Sequence, residues 1–324
     1  MPPKRRLLLY AVIAVSGMFS GCSIIPYYST VEGLNDAQWL DGEMRVVANR
    51  SHYVDSMFSF ESHSRLERQE WVSAEVTFPN RPVLRAHIHK LSDAKGEVDR
   101  GFLAINGSGL LIHQEGGQCA LFDPGSGKDV SKTFPIPLLF NRSHTAYLSL
   151  VAGKAVIFDT LSAIKGEPAV LARPPWTVTP EQIHGYGKAG GLTDDVQYLV
   201  LFSGGTVEAW STNGTKEQWV IPAERSRENL VDAESIDGKV AVLSRSLILP
   251  YGSHDAVKLT TMDGVIVCSG EIAASDGGGL WNPRGKAILF VPYGFSPLAS
   301  ERSSQIFELW NYSLNTVQST HVWN

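Results

Sequence analysis

Four groups of residues have the types and spacings that could carry chemistry. His87 and His89 flank Ile88 in an extended pattern, so strand alternation places both imidazoles on one face, where they could share a metal ion. Glu181 and His184 stand three apart in "TPEQIH", a ligand-like spacing on a turn of helix. Asp194 and Asp195 follow Gly190 and Gly191 and could pair as acid and base or hold calcium. Cys22, Cys119 and Cys268 are the chain's cysteines.

Each group also has a plainer reading. No Cys or carboxylate beside the two histidines completes a ligand set, so they are expected as solvent-facing strand residues. The "HGYGKAGG" around His184 reads as a loop. Asp before a strand is favoured because its carboxylate bonds nearby backbone amides in a turn. Neither a G-x-S-x-G elbow, nor a phosphate-cradling loop, nor an H-E-x-x-H helix occurs. The expectation is therefore no catalytic residue, no metal and no cofactor. Cys119 in "QCALFD" and Cys268 in "VIVCSG" fall in separated units, and a disulfide needs Cα atoms within about 7 Å. Both are expected as buried free thiols.

Cys22 is placed differently. Lys4, Arg5 and Arg6 precede a 13-residue apolar stretch from Leu7 to Phe19, in the order of a targeting segment and short of the roughly 20 residues that span a bilayer. The residues Phe19, Ser20, Gly21 and Cys22 resemble the lipobox of bacterial lipoproteins, with Phe19 where leucine is commonest. The resemblance implies cleavage between Gly21 and Cys22, diacylglycerylation of the Cys22 thiol and acylation of the new amine. One acyl chain anchors marginally, whereas two or three hold firmly. Ser23 after the cysteine implies an outer-membrane destination facing the periplasm. The expected organisation is a signal over 1–21, a lipidated tether over 22–31 and one domain over 32–324.

Composition fits an ordinary globular chain, 43% hydrophobic and 19% charged. Beyond the signal, 25 basic residues face 33 acidic ones, a net charge of −8. A nucleic-acid partner is not expected, because such proteins carry a basic stripe or a pI well above neutral, and this pI is about 6.0.

The elements that would position any site come from a repeated pattern. An apolar run leads to a Gly-rich turn, and a second strand closes on an aromatic and a small polar residue before another turn. The clear copies are "LLIHQEGGQCALFDPGSGK", "AYLSLVAGKAVIFDTLSAIKG" and "YLVLFSGGTVEAWSTNGTK", and "SSQIFELWNYSLN" is a fourth. Their closing pairs are Phe122 with Asp123, Phe158 with Asp159, Trp210 with Ser211, and Trp310 with Asn311. With weaker copies, markers fall near residues 60, 91, 122, 158, 210, 260 and 310. A period a little over 40, with four short strands per unit, is the signature of a β-propeller. The expected fold is all-β, a propeller of about seven blades, with six or eight open. A pair of β-sandwiches is the competing all-β arrangement. The single expected helical turn starts at Thr179, with Pro180 at its first position and Gln182 able to close a capping box.

The aromatic and Asp pairs resemble those of WD-repeat propellers and of the looser family of bacterial extracytoplasmic propellers. The chain has no Gly-His dipeptide for the histidine network of WD repeats. Trp210 and Trp310 close repeat strands and are expected to pack between sheets. Trp176 in "RPPWTVTP" and Trp281 in "GGGLWNPRG" lie in irregular segments and are the candidates for a contact surface. The expected function is a noncatalytic, membrane-anchored interaction or ligand-binding module with an envelope protein as partner. The alternative is an extracytoplasmic hydrolase or lactonase with its site in the central channel.

Overall fold

The computed structural model describes residues 26–40, 43–56, 65–77, 84–90, 100–103, 111–115, 118–123, 126, 128–130, 134–184, 188–203, 205–220, 229–247, 254–273, 279–282, 286–290 and 304–323. Gly21 and Cys22 lie outside them. The described strands form six antiparallel sheets, each of four consecutive strands. Sheet one holds β1 (Pro26–Leu40), β2 (Glu43–Ser56), β3 (Arg65–Thr77) and β4 (Leu84–Lys90). Sheet two holds β5 (Arg100–Leu103), β6 (Leu111–Glu115), β7 (Gln118–Asp123) and β8 (Lys128–Asp129). Sheet three holds β9 (Leu139–Phe140), β10 (Ala146–Val151), β11 (Lys154–Asp159) and β12 (Val170–Ala172). Sheet four holds β13 (Lys188–Leu192), β14 (Tyr198–Ser203), β15 (Thr206–Ser211) and β16 (Lys216–Val220). Sheet five holds β17 (Asn229–Ile236), β18 (Lys239–Leu247), β19 (His254–Thr261) and β20 (Ile266–Ala273). Sheet six holds β21 (Gly279–Asn282), β22 (Ala287–Phe290), β23 (Ser304–Asn311) and β24 (Thr316–Trp323).

The aromatic and polar pairs read from sequence close β7, β11, β15 and β23, the third strand of four of these sheets. Their chemistry explains the position. The aromatic packs, with Phe158 and Trp310 buried, and the polar residue turns the chain toward the fourth strand. Asp159 Oδ1 accepts the Ser162 amide at 2.7 Å and so caps α1 (Thr160–Ile164), a short helix that the repeat pattern does not signal. Asn311 Oδ1 accepts the amides of Ser313 and Leu314, each at 3.1 Å. The second helix, α2 (Pro180–His184), forms where the capping box is read: the Thr179 amide donates to Gln182 Oε1 at 2.8 Å, and the Gln182 amide to Thr179 Oγ1 at 3.4 Å. Two hairpins turn through consecutive left-handed residues, Ala152 with Gly153 and Asp237 with Gly238, the type I′ geometry that matches strand twist.

Two sequence boundaries differ from the structure. The markers near 60 and 91 both fall in the stretch that makes sheet one, whose first strand runs to 15 residues, so two expected units are one sheet. The described residues thus hold six sheets, the lower end of the expected range. Residues 26–31, expected in the tether, are the start of β1 and pair with residues 51–56 of β2. Tyr27, Tyr28, Thr30 and Val31 are types that favour strand, and Pro26 at the strand's first position costs no ladder bond.

The sheets close into a ring through their faces. The first strands of successive sheets adjoin from β9 to β13, β17 and β21, and β1 touches both β5 and β21. Sheet two meets sheet three where Ile112, Cys119 and Leu121 pack with Tyr147, Val156 and Phe158. Sheets three and four share Leu148, Ile157, Leu199 and Leu201. Sheets four and five share Val200, Val207, Val240 and Val242, and sheets five and six share Leu243, Leu259, Ile288 and Trp310. Trp39, Met44 and Val46 of sheet one pack against Ala287 and Leu289 of sheet six, which completes the circle. No described sheet takes strands from both ends of the chain, so closure rests on side-chain packing. Leu289→Ala, at a fully buried position of that seam, is expected to cost about 2–5 kcal/mol in chemical denaturation. Leu314→Ser, at a turn residue that is 70% exposed, is expected to stay within about 0.5 kcal/mol of the native value.

Candidate functional site

Where the first strands converge, the ring holds a cavity of about 250 Å³. Its walls come from five sheets: Gln38 and Trp39 of β1, the turn between β9 and β10, Gly190 to Leu192 of β13, Asp232 of β17, and Leu280 with Trp281 of β21. The β9 to β10 turn is "FNRSH", and Asn141 shapes it. Its carbonyl oxygen accepts the Ala146 amide at 2.9 Å, and its Nδ2 donates to Thr145 Oγ1 at 2.9 Å and to the Asp194 carbonyl at 3.1 Å. His144 in the same turn is left-handed, with φ 54.

This turn delivers Arg142 to the axis. Its Nε donates to Glu234 Oε2 at 2.9 Å, and its Nη2 donates to the Ala233 carbonyl at 3.2 Å and pairs with Asp232 Oδ1. The guanidinium lies over the Trp281 ring, 5.6 Å from its centroid. The backbone of Arg142 is held from sheet one, because Gln38 Nε2 donates to its carbonyl at 3.1 Å. Asp194 of sheet four adds the remaining link: its Oδ1 accepts the Ser143 amide at 2.9 Å, and its own amide donates to Glu234 Oε1 at 2.8 Å. Sheets three and five are not neighbours in the ring, so Arg142 spans a gap that no strand ladder bridges.

Burial governs the ionisation of the pair. It works to lower the Arg142 guanidinium, and the charges of Asp232 and Glu234 outweigh it, so Arg142 ends above its ordinary value and stays charged. Glu234 is pushed up to about 7 by burial, against the pull of Arg142 and of the amides of Asp194 and Ser235. The Glu234 side chain is 1% exposed, whereas Arg142 and Asp232 keep 22% and 24% of theirs open.

The residues singled out from sequence are distributed differently. Trp281 is 2% exposed, packed edge-on to Tyr312 and set in the cavity wall, so its ring is not available to an outer contact surface. Trp176 is half-buried, donates its indole N–H to the Ser211 carbonyl at 2.8 Å and meets Trp210 edge-on. Asp195 makes the turn: its Oδ1 accepts from Thr193 Oγ1 at 2.7 Å and from the Gln197 amide at 3.1 Å. Asp194 instead joins three sheets. His87 and His89 are on β4, opposite Ser73 and Trp71. Cys119 and Cys268 are buried and free, in sheets two and five, and burial raises the Cys119 thiol to about 12. Among the described residues, no three metal-ligating side chains gather.

Arg142, Gln38 and Glu234 carry no motif that sequence reading finds. One signal was present: Asp232 and Glu234 alternate in "VDAESI", which puts two carboxylates on one side of a strand.

These features define a β-propeller with a polar axial cavity. No protein-family model and no curated protein matches the chain. Among solved structures it is similar to PorZ, a surface component of the type-IX secretion system of Porphyromonas gingivalis, at 9% identity and a TM-score of 0.34, covering 91% of this chain and 46% of that one. It is also similar to the extracellular domain of BT4673 from B. thetaiotaomicron, at 10% identity and a TM-score of 0.36, covering 90% of this chain and 42% of that one. The WD40 domain of SCAP from fission yeast aligns at 11% identity and a TM-score of 0.28, covering 91% and 89%. The chain spans less than half the length of the first two.

The buried carboxyl sets a pH dependence. Folded Glu234 holds its proton up to about 7, and the unfolded chain releases it near 4.5, so the folded state binds more protons between those values. The stability it contributes is complete below about 4.5 and falls as pH rises through about 7. Glu234→Gln is expected to flatten that slope in urea denaturation. It is also expected to cost about 1–3 kcal/mol at neutral pH, because an amide N–H would face the Arg142 Nε donor.

Proposed function

We propose that this chain is a lipid-anchored β-propeller that acts in the bacterial cell envelope by contact with a partner protein and not by catalysis. The observation that carries the reading is the use made of the axial polar groups. Arg142, Asp194 and Glu234 are bonded to one another or to backbone amides across three sheets, which gives them a structural task. Glu234, which burial pushes up to about 7, is closed to the cavity by its 1% exposure, so it does not meet a substrate as acid or base. The hydrolase or lactonase reading would need such a group facing the channel.

The anchor rests on the lipobox-like Phe19, Ser20, Gly21 and Cys22. Because β1 starts at Pro26, only three residues separate the lipidated position from the first sheet, a reach of about 14 Å from Cys22 to Pro26 when extended. The propeller is thus held against the membrane surface and presents its loops within a short distance of it. The site of action is the outer membrane facing the periplasm.

The mass of the mature N-terminal peptide tests this, taken from membranes of cells making the native chain or Cys22→Ala. A peptide that starts at Cys22 with two or three acyl chains, absent from the variant, is the expected result. A peptide without lipid would remove the tether, and with it the envelope-scaffold reading.

A further inference from the structure

The contact reading leaves the axial cavity without a task, and two of its side chains have unspent hydrogen-bonding capacity. Arg142 uses Nε and Nη2 on Glu234, Ala233 and Asp232, and among the described residues makes no hydrogen bond through Nη1. Asp232 uses Oδ1 on Arg142 and on the amide of Ala233, and among the described residues Oδ2 accepts none. Both side chains are about a quarter open. The cavity therefore offers a double N–H donor and a carboxylate acceptor on two groups already fixed to each other, which is the preorganised geometry that lowers the ordering cost of binding. Gln38, 4% exposed, is held by its Nε2 on the Arg142 carbonyl and leaves its Oε1 as a second acceptor at the wall.

Charge narrows the ligand. The guanidinium is met by two carboxylates, so an added anion would face Asp232 and an added cation would face Arg142. Groups that donate and accept without net charge fit both. Trp39, Phe140 and Trp281 supply apolar wall beside them. A volume of about 250 Å³ lies just under the usual range for drug-sized ligands, which starts at about 300 Å³.

We propose that the axial cavity binds a neutral, hydroxyl-rich small molecule of the size of a single sugar ring, with vicinal hydroxyls on Arg142 Nη1 and Asp232 Oδ2 and its apolar face toward the tryptophan walls. The proposal rests on the ring and its cavity alone. Loss of the N-terminal lipid would leave it standing, and its failure would leave the anchor standing.

Gly191 provides a clean test. It lines the cavity, and a Cβ at that position meets nothing within 4 Å, so a larger side chain enters open space without displacing the Arg142 group. The full chain in detergent is titrated with glucose, galactose, mannose and N-acetylglucosamine, with glycine, acetate and choline as charged probes. Saturation-transfer NMR and tryptophan fluorescence report binding. Saturable binding of at least one sugar is expected, weakened about tenfold or more by Asp232→Asn and lost in Gly191→Leu at an unchanged unfolding midpoint. A methyl glycoside and a trisaccharide of the bound sugar then distinguish a free monosaccharide from the terminal ring of a longer glycan. Absence of sugar binding, preference for a charged probe, or undiminished binding in Gly191→Leu would each overturn the proposal. Should Gly191→Leu fail to fold, undiminished binding in Asp232→Asn would overturn it.

Discussion

A four-stranded antiparallel sheet that is apolar on both faces cannot stand in water, and this constraint organises the whole chain. Buried apolar clusters fill the seams from sheet two round to sheet one, and β1 and β2 adjoin β5 at the remaining junction. The requirement is circular. The last sheet is satisfied only by meeting the first, through Trp39, Met44 and Val46 against Ala287 and Leu289. In this ring no described sheet takes a strand from the opposite chain end. Dispersion and apolar burial set how close the sheets come but impose little direction. Something else must set the rotation of one sheet relative to another.

The axial cluster has that directional character. Arg142 starts from sheet three, reaches carboxylates on sheet five and passes the Asp194 link of sheet four, while Gln38 fixes its backbone from sheet one. As a source of stability such a group is unremarkable, because buried ion pairs often break even with apolar replacements of the same shape. Its geometry is another matter. A guanidinium with three occupied bonds accepts only one placement relative to its partners, which all lie on β17 of sheet five, a sheet that shares no face with sheet three, from which Arg142 comes. The same rigidity fixes Arg142 and Asp232 in the cavity wall, so one cluster aligns the sheets and shapes the pocket.

Fold class was legible because it depends on local signals repeated along the chain. Phe122 with Asp123 and its three counterparts mark third strands, and Thr179 to Gln182 encode a capped turn. The number of units was harder, since strand length varies and the long hairpins of sheet one mimic two units. The axial site was not legible. Gln38, Arg142, Asp194 and Asp232 are scattered across almost 200 positions and meet only because the ring closes, and no spacing rule connects them. Trp281 shows the converse error, for an irregular segment suggested exposure, while the short β21 carries it into the wall beneath Arg142.

The cavity also follows from the geometry of the ring. First strands that converge on an axis leave a space whose width is set by sheet number, and Gly191, where a Cβ would meet nothing within 4 Å, keeps it open. An apolar filling would have sealed it, as the seams between sheets are sealed. Here the wall instead carries a neutralised ion cluster with about a quarter of its two outer side chains open. A polar wall of this kind is hydrated when unliganded. A ligand gains only where it replaces the hydrogen bonds of that water as well as its volume. That condition favours a compact ligand rich in hydroxyls over an apolar one of equal size.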